Sequence, residues 1–196
     1  MSYKFKTISI IGHRDLLPEY LDILKKHIVA ILQDIKKQNT DFLLRFMSPL
    51  AEGSDQLGAE MALQMGCKLI VPLPMEQKEY LENFDEKSKK KFEDLLLQAD
   101  ESFVLKCNKC LSKEDYYLNL GKYLIQNSNI LLVLWDGEYS DKIGGTGNIM
   151  KNIDELTAAS SLLKKIIHLR VPRKNNHFIE RRFQIDEINI QHKVCL

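Results

Sequence analysis

Asn129-Ile130-Leu131-Leu132-Val133-Leu134-Trp135-Asp136-Gly137, followed by a polar loop and Gly144-Gly145-Thr146-Gly147, decides the reading of this chain. An unbroken apolar run of this length fits a strand covered on both faces, as in a parallel sheet. The run stops at Asp136-Gly137, and a helix is predicted over 148–163, directly after the glycines. Glycines at such a junction let the backbone approach an anion, and the amides of a helix start point toward it. The arrangement reads as a phosphate cradle or, more plainly, as a glycine-rich turn between strand and helix. Neither the full dinucleotide fingerprint nor the Walker lysine motif is present, so the glycines name no ligand.

Two further strand ends carry polar loops of the same kind. The β-branched run 7–11 predicts a strand, followed at once by Gly12-His13-Arg14-Asp15 and by Pro18, which suits the first turn of a helix reaching about residue 37. A second strand is predicted over 42–47, then Ser48-Pro49-Leu50-Ala51-Glu52-Gly53-Ser54-Asp55, with Ser54 or Asp55 placed to cap the next helix. In an open α/β sheet the loops at the carboxyl ends of the strands gather on one edge, where ligands bind. Three such loops make a composite site.

Taken in order, Gly12-His13-Arg14-Asp15, Ala51-Glu52-Gly53-Ser54-Asp55 with Gly58-Ala59-Glu60, and Trp135-Asp136-Gly137 with Gly144-Gly145-Thr146 resemble the SLOG superfamily. Its members include DNA-processing protein A, the Lonely Guy proteins and several prokaryotic nucleotide-sensing families. The resemblance covers roughly residues 5–171 and implies a Rossmann-like fold that binds nucleotides or nucleotide-derived ligands. It implies a ligand sensor, in some relatives within antiviral defence, or an enzyme that cleaves an N-glycosidic bond. Lonely Guy phosphoribohydrolases carry a proline-glycine-glycine-x-glycine-threonine-x-x-glutamate motif. Here Ile143 precedes the glycines, and Asn148-Ile149-Met150-Lys151 supplies no acid in that turn. The resemblance therefore favours binding over hydrolysis.

The candidate ligand-binding residues are Gly12, His13, Arg14, Glu52, Gly53, Ser54, Asp55, Asp136, Gly144, Gly145 and Thr146. Arg14 is suited to clamp a phosphate or carboxylate, because its planar fork meets two oxygens at once; its alternative is a salt bridge to Asp15 or Glu52. His13 is a base or ribose contact or a structural residue. Glu52 and Asp55 are ribose acceptors or helix caps, and Asp136 is a ligand acceptor or a turn former. Were the chain an N-glycoside hydrolase or a deoxyribosyltransferase-like enzyme, the carboxylate that chemistry needs would come from Glu52, Glu60 or Asp136.

The remainder bounds the alternatives. With 28 Lys and Arg against 27 Asp and Glu the net charge is +1, so no global field recruits nucleic acid or membrane, and neither is expected as a partner. No apolar run reaches the roughly 18 residues of a membrane span. With no signal-peptide pattern after Met1, a cytoplasmic location is the expectation. The histidines lack metal-ligand spacing, and no cofactor or metal is expected. Cys107-Asn108-Lys109-Cys110 has the spacing of a zinc knuckle or redox pair, but reads first as a surface loop, and a disulfide framework is not expected.

The fold expected is a three-layer α/β Rossmann-like sandwich with a mostly parallel central sheet, as residues 1–172, and a C-terminal extension, residues 173–196, as an edge strand or dimer arm. The 7–11 strand should be central, with strands 42–47 and 68–71 on one side and strands 101–106, 129–136 and 166–171 on the other. Phe178, Ile179, Phe183, Ile185, Ile188, Ile190 and Val194 leave the extension with apolar surface to cover, which together with the resemblance predicts a homodimer.

Overall fold

The computed structural model describes residues 4–158, 160–172 and 184–190. In chain order the elements are β1 (Phe5–Gly12), α1 (Leu21–Gln38), β2 (Leu43–Met47), α2 (Ser54–Gln64), β3 (Lys68–Leu73), α3 (Gln77–Tyr80), α4 (Glu86–Leu96), β4 (Glu101–Val104), α5 (Lys113–Gln126), β5 (Ile130–Trp135), α6 (Thr146–Lys151), α7 (Ile153–Ala158), β6 (Lys165–Arg170) and β7 (Ile185–Asn189). The strands form one sheet in the order β4-β3-β2-β1-β5-β6-β7. Every pairing is parallel except β6 with β7. This is the α/β, mostly parallel, Rossmann-like sheet the strand pattern predicts.

Period-two alternation splits β5 between two cores. Leu132 and Leu134 join Ile8, Ile10 and Phe46 under α1 and α2, whereas Leu131, Val133 and Trp135 join Leu120 and Leu124 of α5 on the other face. Phe46 is completely buried on β2 next to the central strand, a position where truncation to Ala costs about 3–5 kcal/mol. Every residue of β5 is buried, the signature of a strand flanked by neighbours and covered above and below. β4 is the opposite case, with most of its residues exposed.

That contrast corrects the expected strand order. The 101–106 strand does not lie on the β5 side; β4 pairs with β3, Ile70 opposite Glu101, and forms an edge. A strand with so little apolar surface has nothing to gain at the sheet centre. A second correction concerns the helix expected over 148–163. It is two short helices, broken at Asn152, whose side-chain amide donates to the Asn148 carbonyl at 2.9 Å. Such local bonds offer the backbone an alternative to helix continuation.

Part of the C-terminal extension adds β7 antiparallel to β6, with Lys165 opposite Asn189. Ile185 and Ile188 stay half exposed on it. Phe178, Ile179, Phe183 and Val194 lie outside the described residues. No described helix is long and apolar enough to cross a membrane.

Candidate functional site

Strand order runs outward in opposite directions from β1 and β5, so the sheet has its switch point between them. At the carboxyl end of this pair His13 continues the ladder by one bond, its amide donating to the Leu134 carbonyl at 3.0 Å. Its Nε2 accepts the Asp136 amide at 3.1 Å and lies 3.0 Å from Asp136 Oδ1. Both residues are buried. Asp136 Oδ1 also accepts the Glu138 amide at 3.0 Å, which makes Asp136 a turn former, with its carboxylate turned toward its own loop.

The loop after β2 meets the loop after β1 by backbone contact. Gly53 has φ +76°, and a Cβ there would run into the carbonyl oxygens of Arg14 and His13. A Cβ on Gly12 would lie 2.5 Å from the Ser54 side chain and 2.7 Å from the Leu134 carbonyl. Ser54 donates to the His13 carbonyl through both its amide, at 3.0 Å, and its hydroxyl, at 2.8 Å. Gly53, not Ser54 or Asp55, precedes the first helical residue, and no side chain caps α2. The glycines and Ser54 thus weld two loops together, and the Ser54 amide already has its acceptor.

Above this weld sits the polar part of the edge. Arg14 Nη2 is 3.1 Å from Glu52 Oε2, and its guanidinium lies 4.9 Å from the centre of the Phe84 ring. Glu52 Oε1 accepts the Asp85 amide at 2.9 Å. Arg14 keeps 42% of its side chain exposed, so its outer face remains open to an anion. Beneath it Asp55 is buried, and desolvation pushes its carboxyl up to about 8 despite the attraction of Arg14. The Tyr80 phenol is raised well above its ordinary value, first by burial and then by the Asp55 charge.

The third loop closes the far side. Gly144 has φ +74°, and its Cα faces α5 so closely that a Cβ would stand 2.6 Å from Tyr117 Cβ. Gly145 precedes α6 without a side-chain cap, its amide donating to the Lys142 carbonyl at 3.0 Å. Thr146 opens α6. Tyr117 in turn stands 6.4 Å, ring to ring, from Tyr80. A rim therefore runs from Gly144 through Tyr117 to Arg14 and Glu52, backed from the core by the buried Tyr80 and Phe84.

Glu60 is not part of it. Two turns along α2, its carboxylate pairs with Lys91 at 2.5 Å and Lys25 at 3.8 Å. Tyr80, Phe84 and Arg170 were missed by the loop reading. Pro72-Leu73-Pro74 marks a third strand end on the same edge, and the aromatics just beyond it were the available signal. Arg170 Nε, from β6, donates to the Asp136 carbonyl at 3.2 Å. The cysteine pair also differs from the expectation: Cys107 and Cys110 form a disulfide in the loop after β4. The Asn108-Lys109 turn brings their Cα atoms to 5.5 Å, giving a local ring and not a framework. Among the described residues no cluster of three or more metal-ligating side chains is found. A separate shallow groove lined by Ile31, Ile35, Ile167 and Ile185 lies between α1 and the β6–β7 ribbon, toward the amino ends of the parallel strands.

A mostly parallel sheet with this order, its switch point between the first and fifth strands and polar loops gathered there, defines a Rossmann-like α/β domain. Two solved structures with this fold are DNA processing proteins A. The protein from Streptococcus pneumoniae is 18% identical, with a TM-score of 0.51 over 77% of this chain and 48% of that one. The protein from Helicobacter pylori, described for its single-stranded DNA binding mode, is 17% identical, with a TM-score of 0.54 over 87% of this chain and 67% of that one. The chain spans about half the length of the pneumococcal protein. At these identities the likeness is one of fold. No protein-family profile and no curated sequence matches the chain.

The likeness corrects the exclusion of nucleic acid. A net charge near zero was the ground for it, yet the Helicobacter pylori protein on the same fold binds single-stranded DNA. Local aromatic platforms and a few cations suffice for such binding, so overall charge does not decide it.

Proposed function

We propose that this chain binds a nucleotide or nucleotide derivative at the carboxyl edge of the sheet, beside the β1–β5 switch point. The carrying observation is Arg14, held by Glu52 and stacked on Phe84 with its outer face exposed. A preorganised guanidinium loses little entropy on meeting a phosphate. Gly12, His13, Gly53, Ser54 and Asp55 form the floor, Glu52 orients the clamp, and Asp136, Gly144, Gly145 and Thr146 form the far wall. Tyr117, half-buried beside Gly144 and packed toward Tyr80, is the aromatic of this edge assigned to a base. The reading is a sensor of an adenine-containing or ADP-ribose-like ligand, with assembly as a homodimer supported by the half-exposed Ile185 and Ile188 on β7.

Binding is favoured over catalysis because each candidate carboxylate is engaged: Glu52 by Arg14 and the Asp85 amide, Asp136 by His13 and the Glu138 amide, and Glu60 by two lysines. A second reading, single-stranded DNA as the nucleotide source, is supported by the fold shared with the Helicobacter pylori protein. Calorimetry with AMP, NAD, ADP-ribose, cyclic ADP-ribose and a short single-stranded oligonucleotide separates the two. Binding of a free nucleotide that Arg14→Ala weakens about tenfold or more supports the sensor; binding of the oligonucleotide alone moves the assignment to DNA. Silence from all five, with a folded protein, overturns the proposal.

A further inference from the structure

The loop that carries Cys107 and Cys110 leaves the same carboxyl edge as the candidate site. Leu105 anchors its start, donating its amide to the Leu73 carbonyl at 2.9 Å. Its end is a capping box: the Asp115 amide donates to Ser112 Oγ at 3.2 Å, and the Leu111 and Ser112 amides donate to Asp115 Oδ2 at 3.0 Å each. The disulfide ring lies between these two anchors. The first turns of α5 that follow touch both walls of the site. Lys113 Nζ is 2.8 Å from Glu82 Oε2, in the turn that leads to Phe84, and Tyr117 backs Gly144.

We propose that Cys107 and Cys110 are a reversible thiol–disulfide site, and that opening their ring loosens the start of α5 and with it the rim of the edge site. The disulfide is only half buried and is flanked by the exposed Lys106 and Lys109, so a small thiol reaches it and positive charge favours the attacking and leaving thiolates. Cys67, by contrast, is buried. Closure proceeds by exchange with a low-molecular-weight disulfide RSSR. One cysteine thiolate attacks it and releases RS⁻; the second cysteine displaces the remaining RS⁻ from the mixed disulfide. The two cysteines are oxidised, RSSR is reduced to two RSH, and two protons pass from the cysteines to the released thiols. A dithiol runs the sequence backward.

The coupling to ligand rests on the nucleotide reading; the switch itself does not, and the test keeps them apart. The full chain is equilibrated with oxidised glutathione or with dithiothreitol, the state of each cysteine is mapped by alkylation and peptide mass, and amide hydrogen exchange is followed with and without AMP or ADP-ribose. In the reduced protein, amides over 112–118 and 143–145 exchange about fivefold faster or more, while those of α1 are unchanged. The double variant Cys107→Ser with Cys110→Ser exchanges like the reduced protein and ignores both reagents. Nucleotide affinity, where present, is several-fold weaker in the reduced state. Failure of the two cysteines to join under oxidised glutathione, or identical exchange in both states, overturns the switch whatever the ligand does. A redox-dependent exchange pattern with neither AMP nor ADP-ribose bound in either state upholds the switch and, with NAD, cyclic ADP-ribose and the oligonucleotide silent as well, removes the nucleotide reading.

Discussion

The carbonyl oxygen of His13 accepts two hydrogen bonds from Ser54, one from its amide at 3.0 Å and one from its hydroxyl at 2.8 Å. This contact fastens the loop after β1 to the first turn of α2, and a side chain on Gly12 would collide with it. Gly12→Ala is expected to destabilise the fold by about 1–3 kcal/mol, the usual cost of overpacking. Combining it with Ser54→Gly recovers part of that loss, because one of the two colliding groups is removed. Denaturant melts of the single and double variants check the sign of the coupling.

Asp55 makes stability depend on pH in a stated direction. Its carboxyl ionises near 3.8 when unfolded and near 8 when folded, chiefly through burial. Between those values the folded chain holds a proton the unfolded chain has lost. The stabilisation is complete below the unfolded value and is lost as pH rises to about 8, with no further loss from this group beyond. Asp55→Asn, shaped like the neutral acid, should flatten that slope and be more stable than the parent at pH 8 by on the order of 2 kcal/mol. Urea melts from pH 5 to 9 measure it. The groups that act on the same cluster, Arg14, Glu52 and Tyr80, are unchanged in the variant.

Arg14 and Glu52 separate anion clamping from carboxylate chemistry. Arg14→Ala is expected to weaken nucleotide binding by about 1.5–3 kcal/mol, the range for a charge-assisted hydrogen bond. Glu52→Gln frees the guanidinium from its anionic partner and should tighten binding of a phosphate a few-fold. Weaker binding in Glu52→Gln would instead make Glu52 a direct ribose acceptor. Calorimetry on the two variants decides.

Asp136 should behave as a turn former. Asp136→Ala loses the acceptor of the Glu138 amide and costs about 1 kcal/mol, whereas Asp136→Asn keeps an oxygen there and costs less. Release of adenine from AMP or nicotinamide from NAD, followed by chromatography, should not exceed the rate without protein. Turnover that disappears in either Asp136→Asn or Glu52→Gln would reverse the preference for binding.

Ending the chain after Pro172 removes β7, and with it the Lys165–Glu187 ion pair at 2.7 Å and the cover it gives β6. Tm should fall by about 2–4 °C or more, equivalent to roughly 1 kcal/mol for a chain of this size. Light scattering of the parent at tens of micromolar, an ordinary range for weak dimers, is expected to report a homodimer. Loss of that dimer on truncation would place its interface on β7 and the segment around it.

Much of this architecture was legible in the residues themselves. The apolar run Ile130–Trp135 announces a doubly covered strand, because only burial on both faces removes the need for alternation. Strand ends, helices and the gathering of polar loops on one edge follow from local pattern and from the handedness of crossovers. The order of strands did not follow in full: β4 pairs with β3 because its exposed residues suit an edge, and that choice depends on burial summed over the whole sheet.

The roles within the site were decided only by tertiary contact. Sequence alone cannot say whether Gly12, Gly53 and Gly144 leave room for a ligand or for another loop, since both demand a missing Cβ. Here the space is filled by Ser54, by the Arg14 and His13 carbonyls and by Tyr117. Nor could it join Arg14 to Phe84, some seventy residues away, or bring Tyr117 from one face of the sheet toward Tyr80 on the other. Local sequence determines conformations, which depend on near neighbours. Which side chain fills a given space depends on partners brought together by the fold, and no spacing rule along the chain encodes them.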